Sequence, residues 1–378
     1  LLAHVKQFGD ILLGDHMPLA KGRPLFHPFD DAGEVKVMDI SAPQCYASTS
    51  EYRRTLIMID ANDNVSYGVD VFHVKGGSDH NYSFHALSQE AAVEGVTLVG
   101  QKDEAGQYIG SYAGADVPWG EKQAGATHPD AYSWFGEVET AKTPGTGSFS
   151  VDWKIKDYYS VLNPAKDDLH LRLTMLNSFD LDEVTLTSGI PPQVPGAPES
   201  IKYMFARRQG SGLDSLFTSI IEPYDTERYI EKIESADVSR TDGKDLTIDE
   251  VKAVKVTLTN GREDYIVYAK DNTVQYEVDQ RFAFVGFVGV ISVEGGEIVS
   301  SYLNDGTTIG EHQNLLPAIT GEVVTFTKEM SVNNYIDVQM DQAVDAEALA
   351  GKYIYINNTG ADNACYRIEN AIENGENI

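Results

Sequence analysis

Cysteine is nearly absent. Cys45 and Cys365 are the two in 378 residues, far apart and without Cys-x-x-Cys spacing, so neither a disulfide framework nor a thiolate zinc knuckle can be built. Positive charge is scarce as well: 29 Lys and Arg face 58 Asp and Glu, for a formal charge of -29. Such a surface repels a phosphate backbone, which excludes nucleic acid as a partner, and any polyanion would need a local basic groove or a metal to be received. Long apolar runs are missing too. The longest, residues 282–293, is broken by Gly286 and Gly289 and is too short to cross ~30 Å of hydrocarbon; it reads as a buried strand, and no membrane span is expected. Helical periodicity is confined to short pieces such as residues 248–251 and 346–350.

What is present is enough to fold. Hydrophobic residues make up 42% and charged residues 23%, so a sizeable core can be buried and wholesale disorder is excluded. Tyr, Val, Ile and Thr recur in short runs between Gly, Asn and Asp turns, as in residues 54–60, 67–74, 170–176, 254–259, 265–269 and 353–356. This is the pattern of an all-β chain. Asn260-Gly261 joins two runs as a hairpin turn, and the proline cluster at residues 190–198 reads as an exposed loop between strands. Meander-like spacing without crossover helices predicts two large antiparallel sheets packed face to face over residues 1–310, with a small C-terminal β-module at 321–378. A start at Leu1-Leu2, with no initiator Met and a strand-like pattern already at Val5, reads as a processed or partial product.

Histidine is the local anomaly: six of nine, His4, His16, His27, His73, His80 and His85, lie in the first 85 residues. In residues 76–85, strand alternation puts His80 with Tyr82 and Phe84, and His85 with Asn81 and Ser83. His80 therefore reads as structural and His85 as the better contact for a ligand or substrate, against the plainer reading of both as satisfied imidazoles. No Gly-x-Ser-x-Gly elbow is present. Residues 60–64 read as a turn with solvated oxygens, and residues 241–245 fail as a calcium loop because Val238 and Arg240 fall at ligand positions.

Several segments together resemble the heparinase II/III-like polysaccharide lyases in their β-sandwich half: Glu51-Tyr-Arg-Arg-Thr-Leu56, Val69-Asp-Val-Phe72 running into Lys75-Gly-Gly77 and His80, the Phe84-His85 pair, and Ala206-Arg-Arg208 leading to Glu222-Pro-Tyr224. The resemblance implies a supersandwich that works with an N-terminal α/α-toroid, the active site lying in the cleft between them. It implies β-elimination on an acidic polysaccharide, a uronan or glycosaminoglycan-like chain, outside the cell, at its surface or in the periplasm. The catalytic tyrosine is expected on the toroid. A zinc shell is implied at His4, Asp39 and His85, two imidazoles and a carboxylate with a fourth position for water. In the family the first strand often reads His-Asn-Thr, three residues, then Asp; His4 and Asp10 keep that spacing while the Asn-Thr is lost. Arg207, Arg208 and His80 are expected to contact substrate, although Arg207 and Arg208, being consecutive in a strand, point to opposite faces. The alternative function is a non-catalytic carbohydrate-binding or surface-structural β-sandwich.

Overall fold

A computed structural model of the chain describes residues 4–5, 25–31, 33–43, 45–145, 148–162, 164–176, 180–313, 319–329, 331–358 and 362–378. The chain is all-β, as its alternation predicts, but over the described part of residues 1–313 it stacks four antiparallel sheets where two were expected. The strand Val65–Gly76 shows why. Tyr67, Val69, Val71 and His73 alternate with Asp70, Phe72 and Val74, and both sets are buried. A strand with no wet face must lie in a sheet covered on both sides.

That sheet has eight strands, in the order Leu25–Asp30, Val35–Ser41, Thr49–Asn62, Val65–Gly76, Asp214–Asp225, Leu169–Met175, Phe149–Ile155 and Ala91–Glu94. One face packs Phe72, Phe217, Trp153 and Leu173 against Tyr82, Phe84, Leu186 and Met204 of a six-stranded sheet. The opposite face packs Val37, Ile57, Val69 and Ile220 against Val254, Val256, Ile266 and Val290 of an inner five-stranded sheet. Beyond it, Tyr265, Val267 and Ile291 meet Tyr276, Phe284 and Ile309 of an outer five-stranded sheet.

Glycines sit where the chain changes sheet. Gly76 and Gly77, at φ +95° and +81°, turn the chain from the strand Val65–Gly76 of the eight-stranded sheet into Asp79–His85 of the six-stranded one. A Cβ on Gly76 would collide with the Ser48 carbonyl oxygen, so the corner admits glycine for its φ and for its close approach. The run at 282–293 is two strands, Phe282–Val285 and Val288–Glu294, in different five-stranded sheets. The chain crosses between them at Gly286, where a Cβ would meet Leu303 at 2.8 Å. Of the expected helical pieces, residues 248–250 are a turn before the strand Val251–Leu258, because the apolar side chains from Val251 onward are drawn into the sheet cores. Ala346–Leu349 is one 3-10 turn, capped by the Asp345 carboxylate accepting from the Glu347 N–H.

After residue 320 come two hairpins, Gly321–Phe326 with Ile336–Met340 and Tyr353–Asn358 with Asp362–Arg367. The second reaches back to the edge strand Leu25–Asp30 of the eight-stranded sheet. The Tyr355 hydroxyl accepts from the Phe29 N–H at 2.8 Å, and the Tyr353 hydroxyl from the Asp31 N–H at 2.9 Å.

The doubly covered sheet contains charged residues, and each is matched. Facing the first core, Arg54 forks onto Asp70, with Nε 2.8 Å from Oδ1, while the Tyr82 hydroxyl donates to Oδ2 at 2.7 Å. Asp70 is fully buried. Arg54→Leu is therefore expected to destabilise the protein by about 3–5 kcal/mol, because it strands a buried carboxylate, and a second change, Asp70→Leu, should recover most of the loss. Urea midpoints of the two variants check this; a single variant within about 1 kcal/mol of the parent would show that the pair holds nothing together.

Candidate functional site

The structure separates the expected zinc ligands. Asp39 shares a strand face with Val35 and Val37, in the core between the eight-stranded and inner five-stranded sheets. Its oxygens are taken: Arg53 Nε and Nη2 donate to Oδ2 at 2.9 and 2.6 Å, and Thr55 donates to Oδ1 at 2.6 Å. His85 ends the strand Asp79–His85, and alternation with Phe84 turns it to the outer face of the six-stranded sheet, where it packs on Tyr203 at 4.4 Å. A whole two-sheet core lies between Asp39 and His85. Sheets pack about 10 Å apart and zinc bonds are ~2.0–2.2 Å, so one ion cannot join the two. The expected set is corrected on that ground. The backbone of His4 pairs with Asn81, and its side chain lies outside the described residues.

The expected substrate contacts are also committed elsewhere. His80 is fully buried; its Nε2–H donates to the Gly76 carbonyl at 2.6 Å, and Nδ1 accepts from the Ser215 hydroxyl at 2.9 Å. A carbonyl only accepts, which fixes this tautomer. His80 thus ties the Gly76-Gly77 corner to the neighbouring sheet, in line with its reading as structural and against a role in holding substrate. Arg207 turns outward and forks onto Asp79, with Nε to Oδ1 at 2.9 Å. Arg208 turns inward to the Ser215 hydroxyl at 3.0 Å and the Asp214 carbonyl.

Two arrangements invisible in the sequence emerge. The first is a wall of rings on the outer side of the six-stranded sheet. His85 meets Tyr203, Tyr203 meets Phe135 at 4.9 Å, and Trp119 and Trp134 stand edge to face at 4.8 Å. Gly136 lies under Trp119 and Gly120 under Trp134. The two indoles are 44% and 45% exposed, a large apolar area left open to water beside half-buried Tyr112 and buried Tyr132, whose hydroxyls accept from Asn81 Nδ2.

The second is a charged junction at one end of the core between the eight-stranded and inner five-stranded sheets. His73 is 1% exposed. Its Nε2 lies 2.7 Å from Asp214 Oδ1 and 3.8 Å from Asp249 Oδ2. Lys75 reaches Asp214 Oδ2 at 2.6 Å, and Lys270 reaches Glu51 at 3.1 Å and Asp249 at 3.4 Å. No spacing rule could have found this group, since His73 and Asp214 are 141 residues apart. Its one trace in the sequence is a histidine between the apolar residues Phe72 and Val74.

No protein-family model matches the sequence, and no curated protein matches it. Among solved structures, the chain is similar to the heparan sulfate lyase HepC from Pedobacter heparinus, at 11% identity and a TM-score of 0.37. It is similar to two heparinase III structures at 11% identity, with TM-scores of 0.38 and 0.35. Each match covers 65% of this chain and 28%, 28% and 27% of the respective neighbour. The chain thus spans less than a third of those lyases' length.

Burial holds the imidazoles of His73 and His80 below the usual histidine range, the Asp214 hydrogen bond opposing this at His73 and the Gly76 carbonyl at His80. Around His73, Lys270 lowers the value further, while Asp214 and Glu51 raise it. A depressed folded pKa means that the unfolded chain binds protons first on acidification. The stability these residues contribute is therefore complete above the ordinary value of 6.5 and is lost as pH falls below it. Urea midpoints measured between pH 7.5 and 5 should fall with pH, and His73→Gln should flatten that slope; a slope unchanged by the substitution would contradict the assignment.

Proposed function

We propose that the chain is the β-sandwich portion of a polysaccharide lyase that cleaves a uronic-acid-containing polysaccharide by β-elimination outside the cytoplasm, with the catalytic tyrosine supplied by an α/α-toroid. The observation that carries this reading is spatial. Segments resembling heparinase II/III-like lyases are scattered along the sequence yet fold side by side: Arg207 pairs with Asn81 and Arg208 with His80, while Arg53 pairs with His73 and Arg54 with Phe72. The outer face of the strands Asp79–His85 and Ile201–Gln209 carries the His85 and Tyr203 end of the aromatic wall.

The chemistry divides naturally between two bodies. Elimination needs a base at C5 of the uronate and neutralisation of its carboxylate as charge develops. Every tyrosine hydroxyl with a displaced pKa among the described residues is displaced upward, by burial first in each case but Tyr108, where the hydrogen bond to Glu139 leads and the value reaches about 12. Such hydroxyls keep their protons and make poor bases. What this chain offers is a platform: the apolar C–H faces of sugar rings stack on exposed indoles and phenols. A second reading, a carbohydrate-binding module without catalysis, is favoured by one observation, the complete occupation of Asp39 by Arg53 and Thr55.

The purified chain is expected to bind uronan oligosaccharides while producing no ultraviolet absorbance of an unsaturated uronate. Trp119→Ala with Trp134→Ala should weaken that binding roughly tenfold or more, at about 1.4 kcal/mol per decade. Unsaturated product from the chain alone would remove the need for a toroid. Equal binding by the double variant would remove the platform, and preference for a neutral glucan would remove the uronate.

A further inference from the structure

The charged junction carries the donor set of an ion site as well as a set of ion pairs. Asp214 and Asp249 flank the Nε2 of a fully buried histidine, and the three ligand atoms lie within 4.8 Å of one another. One nitrogen and two carboxylate oxygens from three separate segments is a donor set that suits zinc, with a position left for water. The cluster already attracts cations: two ammonium groups are drawn to the same carboxylates, Lys75 at 2.6 Å from Asp214 and 3.9 Å from Asp249, and Lys270 at 3.4 Å from Asp249. Neither is locked in, the Lys75 side chain being 47% exposed and that of Lys270 32%. An open recess lined by Thr247, Asp249, Lys270 and Asn272 reaches the Asp249 side of the cluster from solvent.

The imidazole also fits. As it stands, Nε2 donates to Asp214, and Nδ1 is buried with no hydrogen-bond partner among the described residues. Because nothing there donates to Nδ1, the ring can carry its proton on that nitrogen, exchanging one unpaired buried atom for another and freeing the Nε2 lone pair for a metal. With Lys75 displaced, a dication together with Lys270 balances the three carboxylates Glu51, Asp214 and Asp249.

We propose that His73, Asp214 and Asp249 bind one zinc ion in exchange for the Lys75 ammonium, and that the ion clips the eight-stranded sheet to the turn leading into the inner five-stranded sheet. Equilibrium dialysis of the full chain against zinc at pH 7.5, with cobalt absorption as a second readout, tests this. One equivalent should bind, Asp249→Asn should weaken it roughly tenfold or more, and Lys75→Ala should tighten it severalfold by removing the competing cation. His85→Gln should leave binding unchanged. Lys75 is exposed enough for its alanine variant to fold, so that arm decides the matter even if Asp249→Asn does not. Absence of zinc binding in both parent and Lys75→Ala, or equal affinity in the two, overturns the proposal, as does loss of binding in His85→Gln.

Discussion

The central constraint is a sheet whose central strands, Val65–Gly76 and Asp214–Asp225, are buried on both faces along most of their length. The eight-stranded sheet has a core on each side, so any polar side chain on its covered strands must find its partner inside the protein or be stranded at several kcal/mol. The consequences run through the molecule. Asp70 is matched by Arg54 and Tyr82, Asp39 by Arg53 and Thr55, and Tyr67 reaches across the core to Asp264 at 2.7 Å. Arg262 holds that same Asp264 and the Ala61 carbonyl, tying the inner five-stranded sheet to the end of the strand Thr49–Asn62. These pairs fix register, because sliding one strand by two residues would leave two buried charges without partners.

The same constraint sorts the protein's large negative charge. The few basic groups at the sheet interfaces are spent on buried or half-buried acids, which leaves the outer surface acidic, with exposed apolar area at Trp119 and Trp134. Where lysines do gather, at Lys75 and Lys270, they face carboxylates that outnumber them.

Strand existence was legible because alternation and turn residues report local geometry, and Asn260-Gly261 does turn the chain between Val251–Leu258 and Glu263–Ala269. Sheet membership was not legible. A run such as residues 282–293 has the same apolar signature whether it stays in one sheet or passes between two, and only the strand pairing on either side of Gly286 reveals the crossing. Asp39 shows the same limit at the site: a buried aspartate on a strand reads alike whether a metal or an arginine holds it. Arg53 lies diagonally across from it, opposite Ser41 in the register, a neighbour known only once strands are paired. His80 and His85 were assigned to opposite faces correctly, since that depends on parity alone.

The two tyrosine hydroxyls on the Leu25–Asp30 strand have a bearing on how the chain is made. They satisfy edge N–H groups that would otherwise template pairing with another chain, and they lie about 320 residues downstream of the groups they cover. At ~5–20 residues per second, translation leaves that edge open for roughly 15–65 s after it emerges. During biosynthesis the nascent β-sheet is thus a sticky, unfinished object, vulnerable to strand exchange between neighbouring ribosomes on one message, until the hairpin that carries Tyr353 and Tyr355 arrives to end the exposure.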